Sequence, residues 1–160
     1  AASSSVIEFA GADQVMTSSA DPDAHEPAFS SWGEGGFGSV WINGETDKSH
    51  PQSYRMRAMI DHLMSIREKM GAQSPRGKLL ARYIKQMERE LMLFQASDWA
   101  FMIHNHSAEG YARRRLDDHY SNGHELFAEA CKAILRNTDK PAASSILPKL
   151  EETNNIFSWL

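Results

Sequence analysis

Apolar residues recur at intervals of three and four through most of the chain after residue 50, a spacing that places them on one face of a helix. A first face comprises Met56, Met59, Ile60, Leu63, Ile66 and Met70. A second face comprises Leu80, Tyr83, Ile84, Met87, Leu91 and Phe94. Between them Gly71 is placed to end one helix, and Ser74-Pro75 to cap and begin the next. Asp47 and Ser49 supply capping signals for the first. The pattern predicts two long helices that bury these faces. The opposite face of the second helix carries Arg82, Lys85, Glu88 and Arg89, and we expect this face to be solvated.

The same pattern continues toward the C-terminus. Ser97 and Asp98 predict a break after the second helix, and residues 104–107 predict a loop. The longest amphipathic segment follows, with its apolar face formed by Tyr111, Leu116, Tyr120, Phe127, Ala130, Cys131 and Ile134. Gly123 inside it is expected to weaken the helix locally, by about 1 kcal/mol. A short helix over residues 146–150 ends the series. We therefore predict an all-α fold, a four- to five-helix antiparallel bundle over residues 45–160.

Residues 29–44 have a different character. This stretch of sixteen residues holds five of the ten glycines and two of the four tryptophans. Glycine permits a positive φ, whereas tryptophan supplies the largest flat apolar surface. The mixture predicts an irregular loop that holds aromatic surfaces in place on the helical scaffold. Residues 1–28, rich in Ser, Asp, Ala and Pro, predict an irregular segment or linker.

Charge and composition exclude several classes of protein. The net charge of −4 gives no reason to expect nucleic acid as a partner, and no apolar run approaches the length of a membrane span. A single cysteine, Cys131, excludes an internal disulfide and predicts a reducing, cytoplasmic compartment. The chain does not begin with methionine, which is compatible with a processed chain or the tail of a longer one.

Histidines and the lone thiol are the obvious candidates for chemistry. His104 and His106 are close in sequence, and His119 follows two aspartates, but two histidines do not define a tetrahedral metal site. We predict no metal or cofactor, with the histidines on the surface or at helix ends. Cys131 lies between apolar neighbours, so we expect an inert thiol.

Arginines and acids near the loop are weaker candidates. The side chains of Arg113, Arg114 and Arg115 point about 100° apart on a helix, so they form no single patch, and we expect one to pair with a carboxylate. Glu34 is the one carboxylate inside the glycine-rich loop. No second acid stands at a spacing that forces a catalytic pair, although folding can bring Asp98 nearer. We predict no catalytic residue in this chain.

Trp32 and Trp41 admit two interpretations. They can fill the top of the helical bundle as core residues. Alternatively, they form a stacking surface for a sugar, because the apolar face of a pyranose packs on a flat indole while its hydroxyls bind neighbouring polar groups. Composition alone does not separate these interpretations.

Several segments together resemble a known enzyme family. They are Ser30-Ser31-Trp32-Gly33-Glu34-Gly35-Gly36, Val40-Trp41-Ile42-Asn43, Glu90-Leu91-Met92-Leu93, Gln95-Ala96-Ser97-Asp98-Trp99-Ala100-Phe101, Tyr111-Ala112-Arg113-Arg114-Arg115 and Asn155-Ile156-Phe157. In this order they resemble the C-terminal helical region of glycoside hydrolase family 57 glucan branching enzymes. The resemblance covers about residues 29–157.

The resemblance implies a part of an enzyme rather than a whole one. Family members have an N-terminal distorted barrel that supplies a nucleophilic glutamate and an acid/base aspartate, and neither motif is present in this chain. Their helical region packs against that barrel and presents tryptophans to an α-glucan cleft. The resemblance thus implies substrate-binding roles for Trp32, Trp41, Gly33, Glu34 and Asp98, with the Asp98-Trp99 segment mainly structural.

For the intact protein the resemblance implies retaining transglycosylation, in which a sugar hydroxyl rather than water attacks a glycosyl-enzyme. It implies an α-glucan substrate, the catalytic barrel as partner, and a place in glycogen biosynthesis. Two alternatives stay open at this point. One is a sister α-amylase or 4-α-glucanotransferase with the same scaffold. The other is a stand-alone carbohydrate-binding or interaction module without catalysis.

Overall fold

A computed structural model describes residues 11–18 and 26–157, and the chain divides into two compact units, residues 1–30 and 31–160. In the first unit, helix α1 spans Ala12–Ser18. The side-chain carbonyl of Gln14 accepts a hydrogen bond from the Gly11 amide at 2.8 Å, which caps the start of this helix. The irregular segment predicted for residues 1–28 therefore contains a helix that the sequence analysis missed, because seven residues are too few to show a period. The remainder of that prediction, residues 1–10 and 19–25, lies outside the described residues.

The second unit is a helical bundle. Its helices are α2 (Ser49–Met70), α3 (Pro75–Phe94), α4 (Ser97–His104), α5 (Glu109–Leu135) and α6 (Leu147–Thr153). Helix α3 packs against α2, α5 and α6, and α5 packs against α2 and α4. Across residues 11–18 and 26–157 no strand is present, so the all-α prediction is confirmed. No helix in those ranges is both long enough and apolar enough to cross a membrane.

The predicted ends of α2 and α3 are largely confirmed. Gly71 ends α2 with a φ of 85°, and Ser74 Oγ accepts the Gly77 amide at 3.0 Å to cap α3. The start of α2 differs from the prediction that Asp47 or Ser49 caps it, because no side chain caps the first amides of this helix. The helix begins at Ser49, whose hydroxyl donates to the Thr46 carbonyl at 2.7 Å, so a tight turn replaces the expected cap.

The core lies between α2, α3 and α5 and includes every residue of the predicted α3 face. The largest fully buried apolar side chains are Tyr83, Met56, Ile60, Leu63, Leu80, Met87, Ile103, Leu126 and Leu147. Met59 of the predicted α2 face packs at the margin of this core. Burial of such side chains contributes about 1.5–3 kcal/mol each, which makes this core the main source of stability.

The buried line of α5 differs from the predicted one. Its most buried residues are Ala112, His119, Gly123, Leu126, Ala130 and Ala133. The bulky apolar residues predicted for this face, Leu116, Tyr120, Phe127 and Ile134, are only half-buried beside that line. A Cβ at Gly123 would lie 2.7 Å from Met56 Cε. Small residues thus let α5 approach α2 closely, and α5 remains one continuous helix through Gly123.

The charged face of α3 is not fully solvated, contrary to the expectation for Arg82, Lys85, Glu88 and Arg89. Arg82 forms a two-pronged ion pair with Glu151 of α6, with N–O distances of 2.9 and 2.6 Å. Arg89 is buried, as are Gln86 and Glu90. The reason is that α6 and the residues after it pack over this face.

Candidate functional site

Internal hydrogen bonds shape the tryptophan loop, residues 31–44. The Ser31 amide donates to the Gly36 carbonyl at 2.6 Å, and Ser31 Oγ accepts the Gly38 amide at 2.5 Å. Ser39 Oγ donates to the Glu34 carbonyl at 2.8 Å, which closes a short 3₁₀ turn over Glu34–Gly36. Hydrogen bonds to and from these serines therefore take the place of the backbone hydrogen bonds of a helix or a strand.

Gly33 is required in this loop by two independent constraints. Its φ and ψ of 100° and −178° lie in a region that residues with a side chain essentially never adopt. A Cβ at this position would also lie 2.7 Å from Val40 Cγ2. Val40 is the buried residue of the loop. Because Gly33 has no side chain, the backbone next to Trp32 packs directly against Val40.

Three aromatic side chains form a cluster at the loop surface, called the aromatic cluster below: Trp32, Trp41 and Phe101. The Trp32 ring centroid is 6.2 Å from that of Trp41 and 5.6 Å from that of Phe101 on α4, with both pairs tilted. These distances are those of favourable aromatic pairs. Trp32 is nevertheless 72% exposed, so its indole does not fill the top of the bundle.

Helix α4 contacts the loop at a second point. His104 Nε2 lies 3.5 Å from Glu34 Oε2, and the Glu34 side chain is otherwise exposed. Phe101 and His104 are three residues apart and share one helix face. Asp98 is exposed in the first turn of α4, one turn before Phe101. The fold thus brings Trp32, Trp41, Gly33 and Glu34 together. Asp98 is placed on the helix that carries the other half of the cluster.

Trp41 connects the aromatic cluster to a cavity of about 490 Å³. Its carbonyl accepts the Thr46 hydroxyl at 2.8 Å and lies 3.2 Å from His50 Nε2, so the residue is held from its backbone. The cavity lies between the connector that follows Trp41, the start of α2, and helices α4 and α5, and Trp99 also lines it. Trp99 donates from its indole N–H to the Leu93 carbonyl at 2.7 Å.

The histidines that suggested a metal site have separate partners. His104 faces Glu34, whereas His106 Nδ1 lies 3.4 Å from Glu109 Oε2. Hydrogen bonds from Arg113 and then His106 hold the pKa of Glu109 below its usual value, and the pairing of Arg113 follows the sequence prediction. In the part of the chain that the structure describes, no three His, Cys, Asp or Glu side chains come close enough to hold a metal ion.

Cys131 and His119 are two further residues that the sequence offered as candidates for chemistry. Cys131 is half-buried, and burial raises the pKa of its thiol, as expected of an inert cysteine. His119 is fully buried against Glu90, so the expectation that the histidines lie at the surface or at helix ends is wrong for this one. Its neighbours in sequence, Asp118 and Tyr120, gave no sign of the buried acid, which comes from another helix.

Comparison with known proteins identifies the family of this helical chain. A family model described as the C-terminal region of 1,4-α-glucan branching enzyme matches residues 55–160. The chain belongs to this family. This branching-enzyme C-terminal domain is 34% identical over 128 residues to a curated 1,4-α-glucan branching enzyme from Thermococcus kodakarensis. That alignment covers 79% of the domain and 18% of the relative.

A solved structure agrees with the assignment. The crystal structure of a GH57-type branching enzyme from the hyperthermophilic archaeon Pyrococcus horikoshii matches with a TM-score of 0.67 at 28% identity. The match covers 81% of this branching-enzyme domain and 23% of that chain, so the domain spans about a quarter of the relative's length or less. The region of the family model includes Asp98 and Phe101 and begins after Trp32 and Trp41.

Proposed function

We propose that this domain forms part of the α-glucan-binding cleft of an enzyme that converts α-1,4 into α-1,6 linkages by retaining transglycosylation. The observation that carries the proposal is the exposed Trp32 indole, held against Trp41 and Phe101 on a branching-enzyme scaffold. The nucleophile and the acid/base belong in this proposal to a catalytic barrel N-terminal to the domain. The lone thiol of Cys131 supports a reducing, cytoplasmic setting. The name of the curated relative supports the branching of 1,4-α-glucan, and the proposal places this reaction in glycogen formation.

Trp32 has the geometry that sugar stacking requires. A pyranose ring needs a flat apolar surface that is open to solvent yet fixed in orientation. The neighbouring rings of Trp41 and Phe101 restrict the indole, while 72% of the residue stays exposed. Because the ring is already held, little conformational entropy is lost when a glucan chain packs on it.

Polar groups beside the aromatic cluster suit the hydroxyls of a sugar. The Glu34 carboxylate contacts His104 with one oxygen and is largely exposed, so it can accept hydrogen bonds from a sugar. Gly33 lets the backbone beside Trp32 lie directly against Val40, which fixes the position from which the indole is presented to a sugar. Asp98 offers a second exposed carboxylate at the start of α4. We therefore propose substrate-binding roles for Trp32, Trp41, Gly33, Glu34 and Asp98.

Binding at this surface supports transfer in two ways. Contacts remote from the reacting bond position the glucan chain, and a covered cleft keeps water from the glycosyl-enzyme. Both effects favour attack by a sugar hydroxyl over hydrolysis. The domain therefore contributes binding and the exclusion of water, whereas the barrel contributes the covalent chemistry.

Product analysis of the intact enzyme on linear amylose tests the reaction class. We expect new α-1,6 linkages, seen as anomeric proton signals and as chains released by a debranching enzyme. Shorter linear chains alone would indicate an α-amylase, and redistributed linear chains alone a 4-α-glucanotransferase; either result contradicts the proposal. The isolated 160-residue chain should leave amylose unchanged relative to a heat-killed control, because the proposal places both catalytic groups outside it. Turnover by the isolated chain would overturn that division of labour.

A further inference from the structure

The cavity beside Trp41 has the size and lining of a ligand site. Its volume of about 490 Å³ lies within the range of small-molecule pockets, about 300–1,000 Å³. Aromatic side chains from three segments line it: Trp41 from the tryptophan loop, Phe94 from the end of α3 and Trp99 from α4. Polar and charged side chains from the connector, α2 and α5 also line the cavity, so apolar and hydrogen-bonding groups border the same space.

The aromatic side chains of the cavity are fixed before any ligand arrives. Trp99 is anchored through its N–H to the Leu93 carbonyl and meets Tyr111 edge-on, with centroids 6.0 Å apart. Trp41 is held by Thr46 and His50 at its carbonyl and by Trp32 at its ring. Its indole Nε1 is shielded from solvent and has no hydrogen-bond partner.

The polar groups around the cavity favour a neutral ligand rich in hydroxyls. Glu45 and Asp117 are acidic, whereas Lys48 and Arg113 are basic, and Gln52 adds an amide. An anion or a cation would meet a like charge on one side. Sugar hydroxyls both donate and accept, so they can bind acids, bases and amides alike.

Trp41 belongs to both the aromatic cluster and the cavity, so the two surfaces adjoin through one residue. We propose that this cavity is a second subsite, which binds a glucosyl segment of the same α-glucan chain beyond the aromatic cluster. The inference rests on the proposed function, because it extends the chain that the aromatic cluster binds. It assigns to Gln52, Trp99 and Asp117 a role in holding long chains rather than short ones.

The test uses the intact enzyme and linear glucans of two lengths. Maltotriose is the short ligand, and the long ligand is a maltodextrin of about twice the length needed to cover the aromatic cluster. Ala100→Trp places an indole in the cavity, and Ala128→Trp adds the same group at an exposed position of α5 outside it. Gln52→Ala trims the cavity wall without filling it, which keeps the test valid if Ala100→Trp does not fold. Calorimetry measures the affinity of each variant.

We expect Ala100→Trp to weaken maltodextrin binding about tenfold and Gln52→Ala to weaken it in the same direction, with maltotriose and Ala128→Trp unaffected. Trp32→Ala, the variant for the proposed function, should weaken both ligands. If Trp32→Ala weakens binding but Ala100→Trp and Gln52→Ala do not, the subsite is wrong and the proposed function stands. If Trp32→Ala has no effect on either ligand, the proposed function itself fails. A lower melting temperature for Ala100→Trp than for Ala128→Trp, with unchanged affinities, would show that the added indole disturbs packing without displacing a ligand, and would also overturn the subsite.

Discussion

His119 Nδ1 lies 2.7 Å from Glu90 Oε2, and the side chains of both residues are completely shielded from solvent. The same carboxylate accepts hydrogen bonds from Asn122 at 3.1 Å, Asn154 at 2.8 Å and Gln86 at 3.1 Å. These donors come from α3, from α5 and from the residue that follows α6. The Glu90 carboxylate therefore joins three parts of the bundle through one charged group.

Replacing Glu90 by alanine should destabilise the domain by about 3–5 kcal/mol, because it leaves His119 and three amides without their acceptor in the core. Urea unfolding measures the change. Arg57→Ala is the matched control, since Arg57 and Asp61 form an exposed ion pair on α2 and its loss should cost about 0.5 kcal/mol or less. Equal losses for the two variants would contradict a structural role for the Glu90 network.

Stability should fall in acid through the same carboxyl. Burial by itself raises the pKa of Glu90, but the hydrogen bonds from His119, Asn154, Asn122 and Gln86 outweigh it and hold the pKa below the ordinary value of 4.5. A carboxyl with a lowered folded-state pKa stabilises the fold above the unfolded pKa, and this stabilisation disappears as the pH falls through the folded value.

Urea midpoints measured from pH 6 down to pH 3 test this dependence. The wild-type domain should lose stability below about pH 4.5, and Glu90→Gln should show a shallower slope there, because it has no proton to take up. Parallel slopes for the two proteins would assign the acid sensitivity to other groups.

The α3 face makes a simpler prediction about packing. Leu91 is buried in the core and Leu135 is 85% exposed at the end of α5. Leu91→Ala should cost about 2–5 kcal/mol, whereas Leu135→Ala, the same chemical change, should cost less than about 0.5 kcal/mol. Similar urea midpoints for the two variants would mean that the helix faces are wrongly assigned.

The extent of the sequence prediction differs between helices. The faces of α2 and α3 follow from spacing alone, because large apolar side chains mark them directly. On α5 the buried line is made of alanines, Gly123, His119 and one large apolar residue, Leu126. A neighbouring helix that approaches closely excludes larger residues from most of these positions. The spacing of residues in one sequence does not show which helix packs nearby. The bulky apolar side chains beside this line were therefore predicted to be the buried ones.

The candidate site shows the same division. Glycine and tryptophan in residues 29–44 predicted a shaped loop, and the positive φ angles of Gly33, Gly35, Gly36 and Gly38 confirm that shape. The contacts of Phe101 with Trp32 and of His104 with Glu34 join segments some seventy residues apart in sequence. Their spacing of three on α4 is the one local signal that was available. The sequence offered no means to say which loop that face meets.

Gly33 and Gly38 provide a matched test of the loop. Gly33→Ala is strained by its backbone angles and by Val40, while Gly38 has a positive φ but open space where a Cβ would lie. We expect Gly33→Ala to cost about 1–3 kcal/mol, or to displace Trp32, and Gly38→Ala to cost less. Tryptophan fluorescence during thermal unfolding reports both effects. A milder effect at Gly33 than at Gly38 would contradict the described contact with Val40.

The central claim is that Trp32 is exposed in order to bind glucan. Its most direct test is the rate of α-1,6 bond formation on long amylose by the intact enzyme carrying Trp32→Ala. Tyr54→Ala is the control, because Tyr54 is 75% exposed on α2 and is not part of the aromatic cluster. We predict that Trp32→Ala lowers the rate by about tenfold or more and leaves the melting temperature unchanged, while Tyr54→Ala changes neither. A folded Trp32→Ala enzyme that branches amylose at the wild-type rate would contradict the account.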